Sequence, residues 1–226
     1  MKQNDKNRLT IYGSLLNQPT RTVTAFCQYN NISHEFKNIN LARGEQFSKE
    51  FKKINPRSQV PTIKFITDEG KDFCLDESVS IIRFLASAYK TNDKLYPNND
   101  ILRRAKIDLY LDWHLVNTRP IISNAGFIRA MTPKTGVGLI ILDTYERLPK
   151  LFKYFDTILE GKKYIVDNEI SIADIFLVSE INQLNLIVYM LYPYKRLYNY
   201  IQEINNLEVM KYVNREIAQI VKMANF

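Results

Sequence analysis

Gln59-Val60-Pro61-Thr62-Ile63-Lys64-Phe65-Ile66 is a strand-forming run that opens around a proline, and Asp72-Phe73-Cys74-Leu75 repeats the strand pattern shortly before Asp76-Glu77-Ser78. Between them Thr67-Asp68-Glu69-Gly70-Lys71 is a turn-rich connector, so Pro61 to Ile66 and Asp72 to Leu75 read as the two arms of a hairpin. Asp76 is a good N-cap, and Val79, Ile82, Phe84, Leu85 and Ala86 give the helix after it an apolar surface. Upstream, Leu9 to Gly13 is a short strand followed by the loop Ser14-Leu15-Leu16-Asn17-Gln18. Pro19 then falls in the first turn of a helix running to about Asn31, where a missing N–H costs nothing, and Val23, Phe26 and Cys27 supply its buried face. Glu35 to Leu41 reads as a second strand and Gly44 to Ile54 as a short, charged helix.

The order is strand, helix, strand, helix, strand, strand, helix. A strand-helix-strand unit followed by a hairpin requires a mixed four-stranded sheet with helices on both faces. This is the thioredoxin-like order, and it defines an α/β N-terminal domain over residues 8–91. From Thr91 to Asp100 the chain turns polar, as expected of a linker. Beyond it strand signals largely vanish: 101–118, 135–159, 171–191, 194–204 and 207–223 carry apolar residues at helical spacing, with Pro120 expected to bend or interrupt the first. Residues 98–226 therefore read as an all-α C-terminal domain.

Composition excludes several classes. With 226 residues, 46% hydrophobic and 24% charged, the chain can bury a core without disulfides or metals and is not a disordered sequence. The polar start, Met1 to Arg8, lacks the apolar segment of a signal peptide, and Ile181 to Tyr194 is too short and too rich in amides to cross a bilayer. A cytoplasmic protein with no membrane partner is the expectation. The net charge of +7 is spread as 14 basic against 10 acidic residues over 1–93 and 17 against 14 over 94–226, with no dense patch, so no nucleic-acid partner is expected. Cys27 and Cys74 show no metal-ligand spacing and are read as small buried hydrophobes, and no metal site is expected.

Three elements can carry chemistry. Pro61 is either a plain strand-start proline or the second residue of a cis Val60-Pro61 bond that turns the Val60 N–H and C=O outward to pair an extended peptide. Asp76-Glu77-Ser78 is either an ordinary helix start or a place where the Ser78 N–H and hydroxyl bind a carboxylate, aided by the helix dipole. The loop Ser14 to Gln18 enters a helix at a point that favours a thiolate, yet it contains no cysteine. The nucleophile must then arrive with the ligand, and disulfide exchange by the protein itself is excluded.

These elements resemble the cytosolic glutathione transferases, theta-like branch, over nearly the whole chain. Ile11-Tyr12-Gly13-Ser14-Leu15-Leu16-Asn17-Gln18-Pro19-Thr20-Arg21 is similar to that branch's strand-to-helix motif, and Asn40-Leu41-Ala42-Arg43-Gly44-Glu45-Gln46 to its DLxKGQH segment. Ile54-Asn55-Pro56 with Gln59-Val60-Pro61-Thr62, then Glu77-Ser78-Val79-Ser80-Ile81, resemble the family's proline loop and helix start. Ser171-Ile172-Ala173-Asp174 resembles its SxAD motif, which is also a capping box.

The resemblance implies a glutathione transferase, with glutathione as co-substrate and an electrophilic small molecule as partner, in a homodimer serving detoxification. Implied glutathione contacts are Gln18, Gln46, Gln59, Val60, Pro61, Glu77 and Ser78. An implied electrophile pocket draws on Ser14, Leu15 and the helix near Tyr110, Trp113 and His114, more open than in animal relatives with a long C-terminal extension. The position of the family's catalytic serine is Asn17, and Gln46 stands where the family has a histidine. The thiolate donor is therefore Asn17, whose amide can donate, or Ser14 three residues earlier. The other function these substitutions leave open is a non-catalytic binding or scaffold protein, a ligand carrier or a relative of the N-terminal region of translation elongation factor 1 gamma.

Overall fold

In a computed structural model, which describes residues 8–89, 91, 94–123, 138–187 and 191–223, the chain divides into two units, Met1–Asn99 and Asp100–Phe226. The first holds four strands, β1 (Leu9–Gly13), β2 (Glu35–Asn38), β3 (Thr62–Ile66) and β4 (Asp72–Asp76), in the order β2-β1-β3-β4. All five residues of β1 are buried, as suits a strand paired on both sides. It runs parallel to β2 and antiparallel to β3, and β3 is antiparallel to β4, which gives the mixed sheet expected from the element order.

Period-2 alternation sorts the sheet's faces. Leu9, Ile11, Ile63 and Phe65 share one face, which α1 (Gln18–Tyr29) and α3 (Ser78–Tyr89) cover. Val23, Phe26, Ile81, Ile82 and Leu85 from those helices are fully buried there, each contributing about 1.5–3 kcal/mol of burial. Phe65 and Phe73 both lie 5.2 Å from the Phe84 ring. On the other face the short α2 (Lys49–Ile54) sets Phe51 edge-on to Tyr12 at 6.1 Å.

Four local expectations are corrected. Cys74 is exposed rather than buried: it lies on the edge strand directly opposite Lys64, whose amine keeps that part of the face in water. The second strand ends at Asn38 because Asn40 turns its side chain to cap a 3-10 turn, accepting the Arg43 N–H at 3.2 Å. The following helix begins at Lys49, not Gly44: Gly44 takes φ 72°, and Ser48 caps α2 by accepting the Phe51 N–H at 3.1 Å. Asp76 closes β4 instead of capping α3, its carboxylate being held by other partners described below.

The second unit is helical: α4 (Ile101–Asn117), α5 (Gly138–Ile158), α6 (Ile172–Ile181), α7 (Lys195–Asn205), α8 (Glu208–Val213) and α9 (Arg215–Met223). Asp100 caps α4, and Ile107, Tyr110, Leu111 and His114 form its buried stripe. A turn at Thr118 separates α4 from the helical run that contains Pro120. Every residue of α6 is buried, so this helix is the unit's axis. The helix expected over 171–191 stops at Ile181 and gives way to a 3-10 turn, Asn182–Ile187, where Asn182 and Asn205 exchange amide hydrogen bonds of 2.8 and 3.1 Å. The one expected over 207–223 breaks at Asn214. The stretch 124–137, including Pro133, lies outside the described residues.

The capping box at the start of α6 forms. The Asp174 carboxylate accepts from the Ser171 N–H at 2.7 Å and hydroxyl at 3.0 Å, from the Ile165 N–H at 2.9 Å and from the Tyr200 hydroxyl at 2.7 Å. Burial pushes the Asp174 carboxyl above its usual range, with these bonds pulling the other way. Among the described residues no helix is long and apolar enough to cross a membrane.

Candidate glutathione-binding and catalytic site

The register brings three segments to one end of the sheet. Tyr12 of β1 faces Thr62 of β3, and Thr62 faces Asp76 of β4. The loop leaving β1 at Gly13, the approach to β3 through Val60 and Pro61, and the exit of β4 through Glu77 and Ser78 are thereby neighbours. Sequence order alone separates them by up to sixty-odd residues.

Asn17 caps α1. It is extended (φ −91°, ψ 124°), and its side-chain oxygen accepts from the Thr20 N–H at 3.2 Å and the Thr20 hydroxyl at 3.0 Å. Both bonds go to the carbonyl end of the amide, so the cap makes no use of its NH2 donors. The loop behind it is braced from below: the buried Arg21 guanidinium donates to the Leu15 carbonyl at 2.9 Å. Gly13 is required by close approach, since a Cβ there would lie 2.4 Å from the Thr20 methyl. Ser14 is buried, its carbonyl accepts the Asn17 N–H at 2.9 Å, and its hydroxyl receives the Leu16 N–H at 3.4 Å. Gln18 is buried along α1, donating to Thr22 at 3.0 Å.

The Val60-Pro61 bond is cis. Val60 is half-buried and precedes the β3 ladder, which begins at Thr62, while Gln59 is exposed. Glu77 is exposed with φ 66°, in the left-handed region that side-chain-bearing residues seldom occupy. Its carbonyl accepts the Ile81 N–H at 2.9 Å, making Glu77 the residue that leads into α3. Ser78 is therefore the first helical residue, whose N–H has no partner within the helix. Gln46 stands in the 3-10 turn Glu45–Phe47, which connects to the others through α2, and its buried side-chain oxygen has no hydrogen-bond partner among the described residues.

Tyr110 and His114 are enclosed in the helical unit. The Tyr110 hydroxyl lies 3.3 Å from His114 Nδ1, and His114 Nε2 lies 3.4 Å from a Glu180 carboxylate oxygen, with both His114 and Glu180 fully buried. Trp113 stacks obliquely on Tyr154 at 5.1 Å.

Behind the Val60 and Ser78 segments lies a polar knot that the sequence reading missed. The Asn55 amide donates to the Gln59 carbonyl (3.1 Å), the Thr62 hydroxyl (2.9 Å) and Asp76 (3.0 Å). Arg57 grips the Asp76 carboxylate through both Nε, at 2.7 Å, and Nη2. The Arg57 guanidinium beside it holds the Asp76 carboxyl below the usual range, against the opposing effect of burial. Asn55-Pro56 was visible as a motif; that Arg57 and Asp76 would meet had no local signal. A cleft of about 290 Å³ opens beside the knot, walled by Pro56, Arg57, Cys74 and Leu75, and none of the expected glutathione contacts lines it. An extended peptide paired along a backbone edge needs an open groove and not an enclosed cavity.

Fold and site together define a two-part protein: a thioredoxin-like half with a cis Val60-Pro61 bond at the start of β3, followed by a helical half. Comparison with known proteins gives the same answer. The glutathione S-transferase N-terminal domain matches residues 11–93 and the glutathione S-transferase C-terminal domain residues 144–215. Glutathione S-transferase T1 of Arabidopsis thaliana is 36% identical over 189 residues, covering 80% of this chain and 74% of its own. Glutathione S-transferase T3 of the same plant is equally similar, at 36% over 189 residues and 80% of this chain, but the match is 31% of its length, so this chain spans about a third of that relative. The crystal structure of human glutathione transferase theta-2, in complex with glutathione and an unknown ligand, superposes with a TM-score of 0.84 at 25% identity, covering 96% of this chain and 90% of that one. The chain belongs to the glutathione transferase family, on its theta-like branch.

Proposed function

We propose that this chain is a glutathione transferase that activates the glutathione thiol with Asn17 and conjugates it to electrophilic small molecules. The observation that carries this reading is that Asn17 caps α1 through its side-chain oxygen alone, so the cap makes no use of its NH2 donors. A serine at a helix start divides its labour similarly, accepting inward and donating outward, so the amide substitutes for the hydroxyl without losing the cap.

In this reading glutathione extends along Val60 and exchanges backbone hydrogen bonds with it next to Pro61. Its γ-glutamyl carboxylate meets the Ser78 N–H and hydroxyl at the positive end of α3, and its ammonium group meets Glu77. Gln46 and Gln59 serve the glycyl end or the backbone of glutathione; the unpartnered buried oxygen of Gln46 is an acceptor suited to a glutathione backbone N–H. Gln18, turned along its helix, acts through the loop rather than by direct contact. Ser14 is the weaker donor candidate because it is buried, although its hydroxyl only accepts in the turn and keeps its proton.

A hydrogen bond to a charged group contributes about 1.5–3 kcal/mol, and each unit of thiol pKa requires about 1.4 kcal/mol. One amide bond to the thiolate thus lowers the pKa by roughly one to two units, enough to bring a thiol near 8.5 into the neutral range. The thiolate then attacks the electrophilic carbon. A carbon–sulfur bond forms as the halide leaves with its electron pair or an epoxide ring opens and takes up a proton. The same reading makes the protein a cytoplasmic homodimer that removes electrophiles.

The test is retention on immobilised glutathione together with turnover of a panel of alkyl halides, epoxides and nitroaryl halides. Saturable turnover of at least one is expected. Folded protein that holds glutathione and turns over none of them would refute the catalytic reading.

A further inference from the structure

Two residues that flank the polar knot, Ser58 (φ 57°) and Glu77 (φ 66°), lie in the left-handed region. Such conformations persist where the surroundings determine them. Each sits one residue from a member of the Arg57–Asp76 pair: Ser58 follows Arg57, and Glu77 follows Asp76. The knot's other bonds also end just short of the ligand-facing backbone. Asn55 and the Thr62 hydroxyl (2.8 Å) both hold the carbonyl of Gln59, the residue before Val60.

Asp76 is 7% exposed, yet the Arg57 side chain that grips it is 65% exposed. An ion pair with one largely exposed partner is partly screened by solvent, which limits its contribution to global stability. A bidentate fork, however, fixes geometry as well as charge, because the planar guanidinium and the carboxylate meet in one orientation. The Asn55 side-chain oxygen also accepts the Arg57 backbone N–H at 2.9 Å, so Asn55 joins both residues of the pair and the Gln59 carbonyl in one unit. Val60 lies outside the ladder and has no strand pairing of its own to set its distance from Ser78. The Thr62–Asp76 pairing brings the two segments together, and the knot adds the side-chain tie just beyond the ladder.

We infer that the Arg57–Asp76 pair, seated on Asn55, is a positioning device for glutathione that sets the Ser78 N–H relative to the Val60 backbone so that one extended peptide meets both. The inference rests on the glutathione reading above. Arg57 and Asp76 touch neither the thiol nor the electrophile; they act through the backbone on either side of the β3–β4 hairpin. Loss of the fork therefore weakens glutathione capture and spares the thiolate step, which belongs to the separate loop carrying Asn17.

The experiment compares the whole chain with Arg57→Met, Arg57→Lys, Asp76→Asn and the Arg57→Met/Asp76→Asn double variant. Glutathione affinity is read by calorimetry, and KM and kcat with a substrate turned over by the wild type. Arg57→Met and Asp76→Asn are each expected to raise the dissociation constant and KM for glutathione roughly tenfold, with kcat changed less than about twofold. The double variant is expected to be no worse than the more impaired single one, because both remove one interaction. Arg57→Lys, which keeps the charge but not the fork, should recover part of the loss. Unchanged affinity in Arg57→Met, additive effects in the double variant, or a fall in kcat equal to that in kcat/KM would overturn the inference. If Asp76→Asn fails to fold, Arg57→Met and Arg57→Lys, altered at an exposed side chain, still decide. Failure of the wild type to bind glutathione would instead refute the function reading and this inference with it, and is seen before any variant is made.

Discussion

Replacing Asn17 with alanine, serine and aspartate separates its two jobs. The side-chain oxygen caps α1 through two bonds to Thr20, and in the proposed function the amide nitrogen donates to the thiolate. Alanine removes both: about 1 kcal/mol of stability from the lost cap, and about 1.5–3 kcal/mol of thiolate stabilisation from the lost donor. The second figure corresponds to a rise of roughly one to two units in the thiol pKa and a loss of roughly 10- to 150-fold in kcat/KM below that pKa. Serine keeps a cap and a donor, so stability and rate should be held or the rate raised. Aspartate is the discriminating change. It caps as well as asparagine and suits the helix dipole, but it places a carboxylate where the donor stood, so the protein should remain as stable as the wild type while the thiol pKa rises at least as far as in the alanine variant. The assay is the pH dependence of kcat/KM, supported by the ultraviolet absorbance of bound thiolate, with thermal midpoints measured in parallel. A wild-type thiol pKa in Asn17→Asp, or unchanged rates in both Asn17→Ala and Asn17→Ser, would remove Asn17 from the mechanism and return the role to Ser14.

Other consequences concern stability and access. Because Arg57 lowers the folded-state pKa of Asp76 below the unfolded value near 3.8, this carboxylate stabilises the fold above that value and loses its contribution as pH falls through the folded pKa. Asp76→Asn should lower the thermal midpoint at neutral pH, and the gap from the wild type should close on acidification below about pH 4; a gap independent of pH would contradict the assignment. Asp174 is fully buried with four hydrogen bonds, so Asp174→Ala should cost on the order of 3–5 kcal/mol in denaturant unfolding by stranding the Ile165 and Ser171 N–H groups and the Tyr200 hydroxyl, and a loss under 1 kcal/mol would show that the box is dispensable. Its raised pKa has the opposite sign to that of Asp76: the stability it contributes is full at low pH and declines as pH rises through the folded value. Among the two thiols, Cys74 should react with a maleimide in the native protein and Cys27, which is fully buried, only after unfolding; since burial and Asp72 raise the Cys74 pKa, its labelling should accelerate as the pH is raised toward that value.

Much of this molecule was determined by short-range chemistry that a linear reading can follow. The buried run Leu9 to Gly13, the helix entered through Pro19, the hairpin around Thr67 to Lys71 and the helical spacing after Asp100 depend on periodicity and turn residues within a few positions of one another, and all appear in the fold. The capping box at Ser171 and Asp174 is equally local. Where the reading went astray, the deciding contact came from elsewhere in the chain or from a neighbour that competed with a propensity. Asp76 has the chemistry of an N-cap, but an arginine nineteen positions earlier reaches it once β3 and β4 pair. Cys74 is apolar enough for a core, but an edge strand set beside Lys64 leaves it in water. Asn17 and Ser14 could not be ranked by composition, because the ranking depends on which side-chain atom is already committed. Those commitments are hydrogen bonds that exist only after the strand end, the loop and α1 have packed. Periodicity and punctuation thus wrote the architecture into the sequence, whereas the identity of the groups held in place around the cis-proline edge was decided by tertiary pairing, because a bond between residues 57 and 76 has no counterpart in a chain that has not folded.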